Sequence, residues 1–397
     1  MTAEPTGNGS PPRPPTRVMW IWHAGVVAEY QKPLSVLAAC PDLDLTLLVP
    51  RRWPERAGQM VEAEDPALPN FRLVKAHTVF TGTYYVYFFP GLPYYLLKHR
   101  PDIIYCYEEA HTLMGAFVLA LRRILLPRSR VLLYAAQNIK KKYPLPFRLF
   151  EGYCFKRADM ILACGTRVAE TLRAKGYRRR LRVVPLPVDT QAFCPDPGLR
   201  AQGRRALGIP DDQLAIGYAG KLVEEKGLRT LWVAFAEVAR ERGDAHLCLA
   251  GGGPVLAELR AAAKSAGLDA RLHAPGVVHN AELPAFLNAL DLFVLPSETR
   301  PNWREQFGRA AVEAMSCGVP VIGSDSGEIP TVLGDAGITF PEGDAWSLAA
   351  QLGRLLSDPS LRADLGRRGR QRALNLYSLE QVAAQHQAAY AVLRTEC

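Results

Sequence analysis

Leu292-Phe293-Val294-Leu295-Pro296 is followed by Glu305-Gln306-Phe307-Gly308-Arg309-Ala310-Ala311-Val312-Glu313, and then by Gly318-Val319-Pro320-Val321-Ile322. The first segment is a short apolar run closed by proline, the pattern of a buried strand ending in a turn. In the second, small residues open a helix between two carboxylates. The third is another apolar strand. Glu305 and Glu313 therefore sit at the carboxyl end of a strand and in the first turns of the helix after it, where open α/β sheets bind ligands.

The same alternation extends on both sides. Upstream, strands are expected at Leu214–Ala219, His246–Ala250 and Arg271–Ala274, with helices from Leu228, Val255 and Glu282 between them. Short turns between alternating strands and helices predict a parallel, doubly wound sheet. The first half repeats the pattern more loosely, with strands at Val18–Trp22, Leu45–Val49, Ile103–Cys106, Val131–Tyr134, Met160–Ala163 and Leu181–Val184. The fold class expected is thus α/β, two doubly wound Rossmann-like domains facing a central cleft. Its divisions are a disordered, Pro- and Gly-rich tail at 1–16, an amino-terminal domain at 17–195, a carboxy-terminal domain at 196–375, and a last helix at 376–397 that crosses back to the first domain.

The formal charge of +9 is lopsided. Residues 1–195 hold 27 basic and 15 acidic side chains; the remainder holds 21 and 24. A basic first half points to an anionic partner or membrane surface, or to an ordinary solvated surface. No nucleic-acid reading motif accompanies it. The eight cysteines are scattered without metal-ligand spacing, which fits reduced thiols in a cytoplasmic protein. Asp42-Leu43-Asp44 imitates a metal motif but lies in a turn before a strand, so no metal is expected. No apolar run reaches the ~18–20 residues of a spanning helix.

The loop Gly220-Lys221-Leu222-Val223-Glu224-Glu225-Lys226-Gly227 follows a strand and precedes a helix. Two ammonium groups beside a helix amino terminus suit a diphosphate, although Glu224 and Glu225 also allow a solvated charged loop. Gly308 permits close backbone approach, and Glu313, among small apolar neighbours, needs hydrogen-bond donors such as a ribose diol. A structural salt bridge with a helix cap would explain either acid taken singly. Gly25, at the end of the first strand, could admit a phosphate or acceptor to the helix start. His111, in Tyr107-Glu108-Glu109-Ala110-His111, either lines the site or opens a helix. The aromatic stretch Thr83–Tyr95 is read as core packing, an acceptor platform or a shallow membrane contact.

Taken together, Glu305-x7-Glu313, the Gly220–Gly227 loop, Gly251-Gly252-Gly253-Pro254, Gly276-Val277-Val278, Asp291–Ser297 and Glu313–Val321 resemble the family 4 retaining glycosyltransferases of GT-B fold. The resemblance covers residues 181–395, with weaker support from 18–180. It implies that Lys221 and Lys226 bind the donor diphosphate and that Glu305 holds the transferred sugar. It places Gly220 and the amides of Phe307, Gly308 and Arg309 along the phosphate and sugar, Glu313 on the ribose, and Val278 by the base. The implied activity moves a sugar from a UDP- or GDP-linked donor to a hydroxyl acceptor, with no cofactor. The acceptor would be a glycolipid, polysaccharide or small glycoside, lipid-linked or anionic, met in the cytoplasm or at the inner face of the membrane. A same-face mechanism, in which the leaving phosphate helps deprotonate the acceptor, is implied by the resemblance as well.

Two departures stand out. Position 221 is Lys where the family more often has Arg, which keeps the charge and loses the bidentate fork. Where many members carry a His after a first-domain strand, this chain reads Gln137-Asn138, assigned to the acceptor side; an amide cannot act as a base. An epimerase of the same architecture and a non-catalytic nucleotide-sugar-binding subunit are the alternatives.

Overall fold

The computed structural model describes residues 14–54, 59–65, 68 and 70–395. Fifteen strands are seen among them: β1 (Thr16–Ile21), β2 (Leu43–Pro50), β3 (Arg52–Pro54), β4 (Met60–Glu62), β5 (Phe71–Ala76), β6 (Ile103–Cys106), β7 (Arg130–Ala135), β8 (Met160–Ala163), β9 (Arg180–Val183), β10 (Leu214–Ala219), β11 (Ala245–Ala250), β12 (Leu272–Gly276), β13 (Leu292–Leu295), β14 (Val321–Ser324) and β15 (Ile338–Phe340). They form a seven-stranded sheet ordered β5-β2-β1-β6-β7-β8-β9, a six-stranded sheet ordered β12-β11-β10-β13-β14-β15, and the small hairpin β3-β4. The registered pairings within the two large sheets are parallel, and the hairpin is antiparallel. The expected pair of Rossmann-like sheets is present.

Parallel strands covered on both faces should be apolar throughout rather than alternating. β6, β8, β13 and β14 are buried at every position. Helices supply the cover through apolar stripes; the one at Leu228–Glu241 buries Leu228, Leu231, Trp232, Phe235 and Val238, the helical spacing read from sequence.

Boundaries moved in small ways. The first strand begins at Thr16, so only residues 1–13 of the expected tail lie outside the described residues. The helix expected from Pro33 spans Ala28–Ala38 with Pro33 inside it, so the Glu29 carbonyl lacks its helical donor there; the proline does not mark the helix start. The strand expected from Val319 begins at Val321, after Pro320, which cannot donate to the ladder. The hairpin and β5 were absent from the expectation: they are short, half-exposed segments without a clear apolar run.

The chain divides into two compact units. One holds Met1–Leu133, Leu149–Asp159 and Tyr390–Cys397; the other holds Tyr134–Arg148 and Met160–Ala389. The last helix, Leu379–Arg394, contributes residues to both.

Strand order fixes where ligands can enter. In the first sheet the chain runs from β1 outward to β2 and β5, then returns to β6 on the other side of β1. In the second it runs from β10 to β11 and β12, then returns to β13 on the other side of β10. Each reversal leaves a crevice at the carboxyl ends of the two adjacent strands.

Candidate functional site

The crevice of the second sheet lies between the loops after β10 and β13. The first loop carries Lys221 and Lys226; the second carries Ser297, Trp303 and Glu305. Glycines bring the two backbones together. Gly227 has φ +65°, and a Cβ there would stand 1.8 Å from the carbonyl oxygen of Pro296. Only glycine permits that approach.

Glu305 is 8 % exposed. Lys226 Nζ donates to its Oε2 at 2.7 Å, and the Ser297 hydroxyl donates to the same oxygen at 2.8 Å. No bond to Oε1 is seen among the described residues. The Lys226 ammonium also lies 4.6 Å from the centre of the Trp303 ring, a cation–π contact that fixes its approach. The backbone of Glu305 is held as firmly. Its carbonyl accepts from Asn138 Nδ2 at 2.7 Å and from the Glu328 amide at 3.2 Å, and Gly327 packs against it. A carboxylate fixed at both ends is pre-organised to bind, since little freedom remains to be lost.

Gly308, at φ +88°, caps the short helix Arg309–Ser316 that presents the amide end of its dipole here. Phe307 turns inward and meets Tyr377 edge-on. Arg309 is exposed, and its Nε lies 4.0 Å from Glu313 Oε1 one turn later. Lys221 is exposed, and its carbonyl accepts the phenol of Tyr218. Gly220 has φ +151° and packs on Tyr218. Val278 is partly buried after β12, next to exposed Val277.

Gln137, Asn138, Gly25 and His111 complete the expected set. Gln137 Oε1 accepts the amide of Ile139 and shapes its own turn. Asn138, expected on the acceptor side, donates to the Glu305 carbonyl. Gly25 is buried in the first unit against Val49 and Trp22, and its carbonyl accepts from Gln31. His111 is 4 % exposed in the same unit, beside Tyr85. The aromatic stretch splits: Tyr87, Phe89 and Leu92 are core, while Tyr85 and Tyr94 are exposed.

Ser297, Trp303 and Glu328 carried no role in the sequence. Ser297 ended a quoted motif, and only its contact with Glu305 reveals a part. Glu328, two residues before Pro330, accepts the amides of Thr166 and Arg167 at 2.7 and 2.8 Å and so caps a helix. No local pattern pairs residues so far apart in the chain.

The chain is similar to known glycosyltransferases. The model of glycosyl transferases group 1 matches residues 200–372, and that of Glycosyltransferase Family 4 matches residues 42–192. A GDP-mannose-dependent alpha-(1-6)-phosphatidylinositol monomannoside mannosyltransferase of Mycolicibacterium smegmatis is 35% identical over 51% of this chain and 54% of its own. A 2-deoxystreptamine glucosyltransferase of Streptomyces kanamyceticus is 32% identical over 53% and 54%. The chain spans about half the length of these curated relatives. Among solved structures, sucrose-phosphate synthase from Thermosynechococcus elongatus superposes with a TM-score of 0.73 at 21% identity, over 96% of this chain and 100% of that one. A HepE protein of Anabaena in complex with UDP also gives 0.73, at 16% identity over 95% and 100%. These likenesses establish a GT-B fold. Two family models match in succession, over residues 42–192 and 200–372, and the chain belongs to the family 4 glycosyltransferases.

Proposed function

We propose that the chain transfers a sugar from a nucleoside diphosphate donor to a hydroxyl acceptor with retention of configuration. The Lys226–Glu305 pair at the crevice of the second sheet carries this reading, because it sets a fixed cation beside a fixed carboxylate. A departing diphosphate gains charge as the glycosidic bond breaks, and Lys226 and Lys221 supply the opposing charge. The dipole of the helix after Gly308 adds to it. Both donors to Glu305 use Oε2, so Oε1 is the oxygen assigned to a sugar hydroxyl. Glu313 is assigned to the ribose, and the backbone at Val278 to the base. Gly220, Phe307 and Arg309 offer their backbone along the phosphates, and Gly25 offers a close turn in the first unit.

The acceptor side is assigned to residues 17–195 and the donor side to 196–375. The relatives' names give GDP-mannose for one donor and inositol lipids and 2-deoxystreptamine for acceptors, so the acceptor class proposed is a polyol, free or lipid-linked. Exposed Lys140, Lys142 and Arg178–Arg180 offer positive charge for an anionic acceptor or membrane surface. Among the described residues, no helix is long and apolar enough to cross a membrane.

A thermal-shift series with UDP, GDP and their sugars tests the donor. A ligand at a hundred times its Kd stabilises the folded chain by about 2.7 kcal/mol. One base should shift the melt and the other should not. No shift from any nucleoside diphosphate would sink the reading.

A further inference from the structure

The crevice of the first sheet carries a pair of its own. His23 follows β1 and Glu108 follows β6, on either side of the strand-order reversal. Glu108 is 1 % exposed. Its Oε1 takes three donors: His23 Nδ1 at 2.5 Å, the His23 amide at 3.2 Å and the Tyr87 phenol at 2.6 Å. Its Oε2 is buried and has no hydrogen-bond partner among the described residues. Burial, with the charge of Glu108 second, holds the Tyr87 phenol well above its usual pKa, so it stays a donor.

In the neutral imidazole, the short bond to the carboxylate places the proton on Nδ1 and leaves Nε2 as the acceptor. The His23 side chain keeps 18 % of its surface exposed, so the pair is not sealed. Trp53, Tyr84 and Tyr87 surround the imidazole, with ring centres 4.9, 5.4 and 5.6 Å away.

A histidine serving only the core would sit with its carboxylate partner fully satisfied. Here the carboxylate is held on one oxygen alone and the other is left orphaned in the interior, a cost that native structures seldom carry without use. Aromatic faces beside a hydrogen-bond acceptor and a carboxylate suit a ligand with C–H faces and hydroxyl donors. They do not suit a phosphate, which the carboxylate would repel.

We propose that His23 and Glu108 form a recognition site for a polyhydroxylated six-membered ring, one hydroxyl donating to His23 Nε2 and one ring face resting against Trp53 and Tyr84. Glu108 orients the imidazole, and Tyr87 orients Glu108. The inference rests on the transfer reading only in calling this ring the acceptor.

Saturation-transfer NMR on the full chain tests it, with myo-inositol and methyl α-mannoside as ring probes and glycerol as the flexible control, all at millimolar concentration. The ring probes should receive saturation and glycerol should not. The signal should be lost in His23→Phe and in Glu108→Gln, and kept in Lys226→Ala. Melting curves establish that each variant folds; should Glu108→Gln fail to fold, Tyr87→Phe replaces it and should weaken the ring signal several-fold. Ring signals that survive in folded His23→Phe, or that never arise in the wild type, overturn the proposal. Binding of UDP or GDP is followed in the same samples: a chain that binds the nucleotide and no ring retains the donor reading and loses this one.

Discussion

The two sheets share a topology and differ in what builds their crevices. Across the second, Lys226 meets Glu305 on loops whose backbones touch through glycines. Across the first, His23 meets Glu108 inside a wall of aromatic side chains. One is specified by backbone conformation, the other by packing. Backbone specification demands particular residues at particular positions. Packing can be met by many combinations of similar volume. The second crevice is therefore the more brittle under substitution and the more legible in sequence.

The largest expected effect is on catalysis. Glu305→Ala and Lys226→Ala should each lower the transfer rate by about a hundredfold or more, the scale on which a pre-organised electrostatic partner acts. Each also strands the other charge, so circular dichroism and melting curves must accompany the kinetics. Near-normal transfer by either folded variant would break the comparison at its stronger end.

Glycine substitution contrasts the two loops directly. Alanine at Gly227 combines a φ of +65° with a Cβ overlapping the Pro296 carbonyl, so part of the loop must move. A loss of about 3 kcal/mol in urea unfolding is expected, with weaker nucleotide binding. At Gly25 the added Cβ would lie 3.1 Å from a Val49 methyl, a contact that a side chain can relieve. Gly25→Ala should stay within about 1 kcal/mol of wild type. Equal losses at the two sites would remove the distinction between backbone and packing.

What could be read in advance follows the same division. The apolar runs of β6, β8, β10 and β13 gave the parallel sheets with ends right to the residue, because strands buried on both faces admit little else. Glu305, Glu313, Lys226 and Gly227 were legible because strand, turn and helix start fix their place locally. Asn138 was not, since its partner is 167 residues away and the bond is to a backbone carbonyl, which leaves no trace in residue type. His23 was not legible, because the aromatic wall around it comes from the hairpin and from residues 84–87, segments without a clean period.

Acid offers a test that belongs to the second unit. His386 is buried there in the last helix, and desolvation lowers its pKa to about 3 from an ordinary 6.5. Between those values the unfolded chain binds a proton that the folded chain refuses. Stability should therefore fall as the pH drops below 6.5, by about 1.4 kcal/mol per unit from this group, and be unaffected by it above. From pH 6.5 to 5 that is about 2 kcal/mol. His386→Leu should flatten this slope in denaturant unfolding followed across pH. An unchanged slope would mean that the imidazole is protonated in the folded chain.

The smallest effect is expected at Asn138, and it asks how far the brittleness of the second crevice extends beyond its charged pair. Its amide donates to the Glu305 carbonyl, which the Glu328 amide also reaches at a longer 3.2 Å. Asn138→Ala removes the shorter bond and leaves the longer, at a cost of about 1 kcal/mol. Loosening the backbone beneath Glu305 should lower kcat by several-fold and leave KM for the donor nearly unchanged, because the phosphates are held by the lysines. Asn138→Asp should do worse than alanine, since a carboxylate facing a carbonyl offers no donor and adds repulsion. If aspartate matches or exceeds the wild-type rate, Asn138 acts on substrate rather than on Glu305. A fall in kcat graded from asparagine through alanine to aspartate places it in the scaffold of the donor crevice.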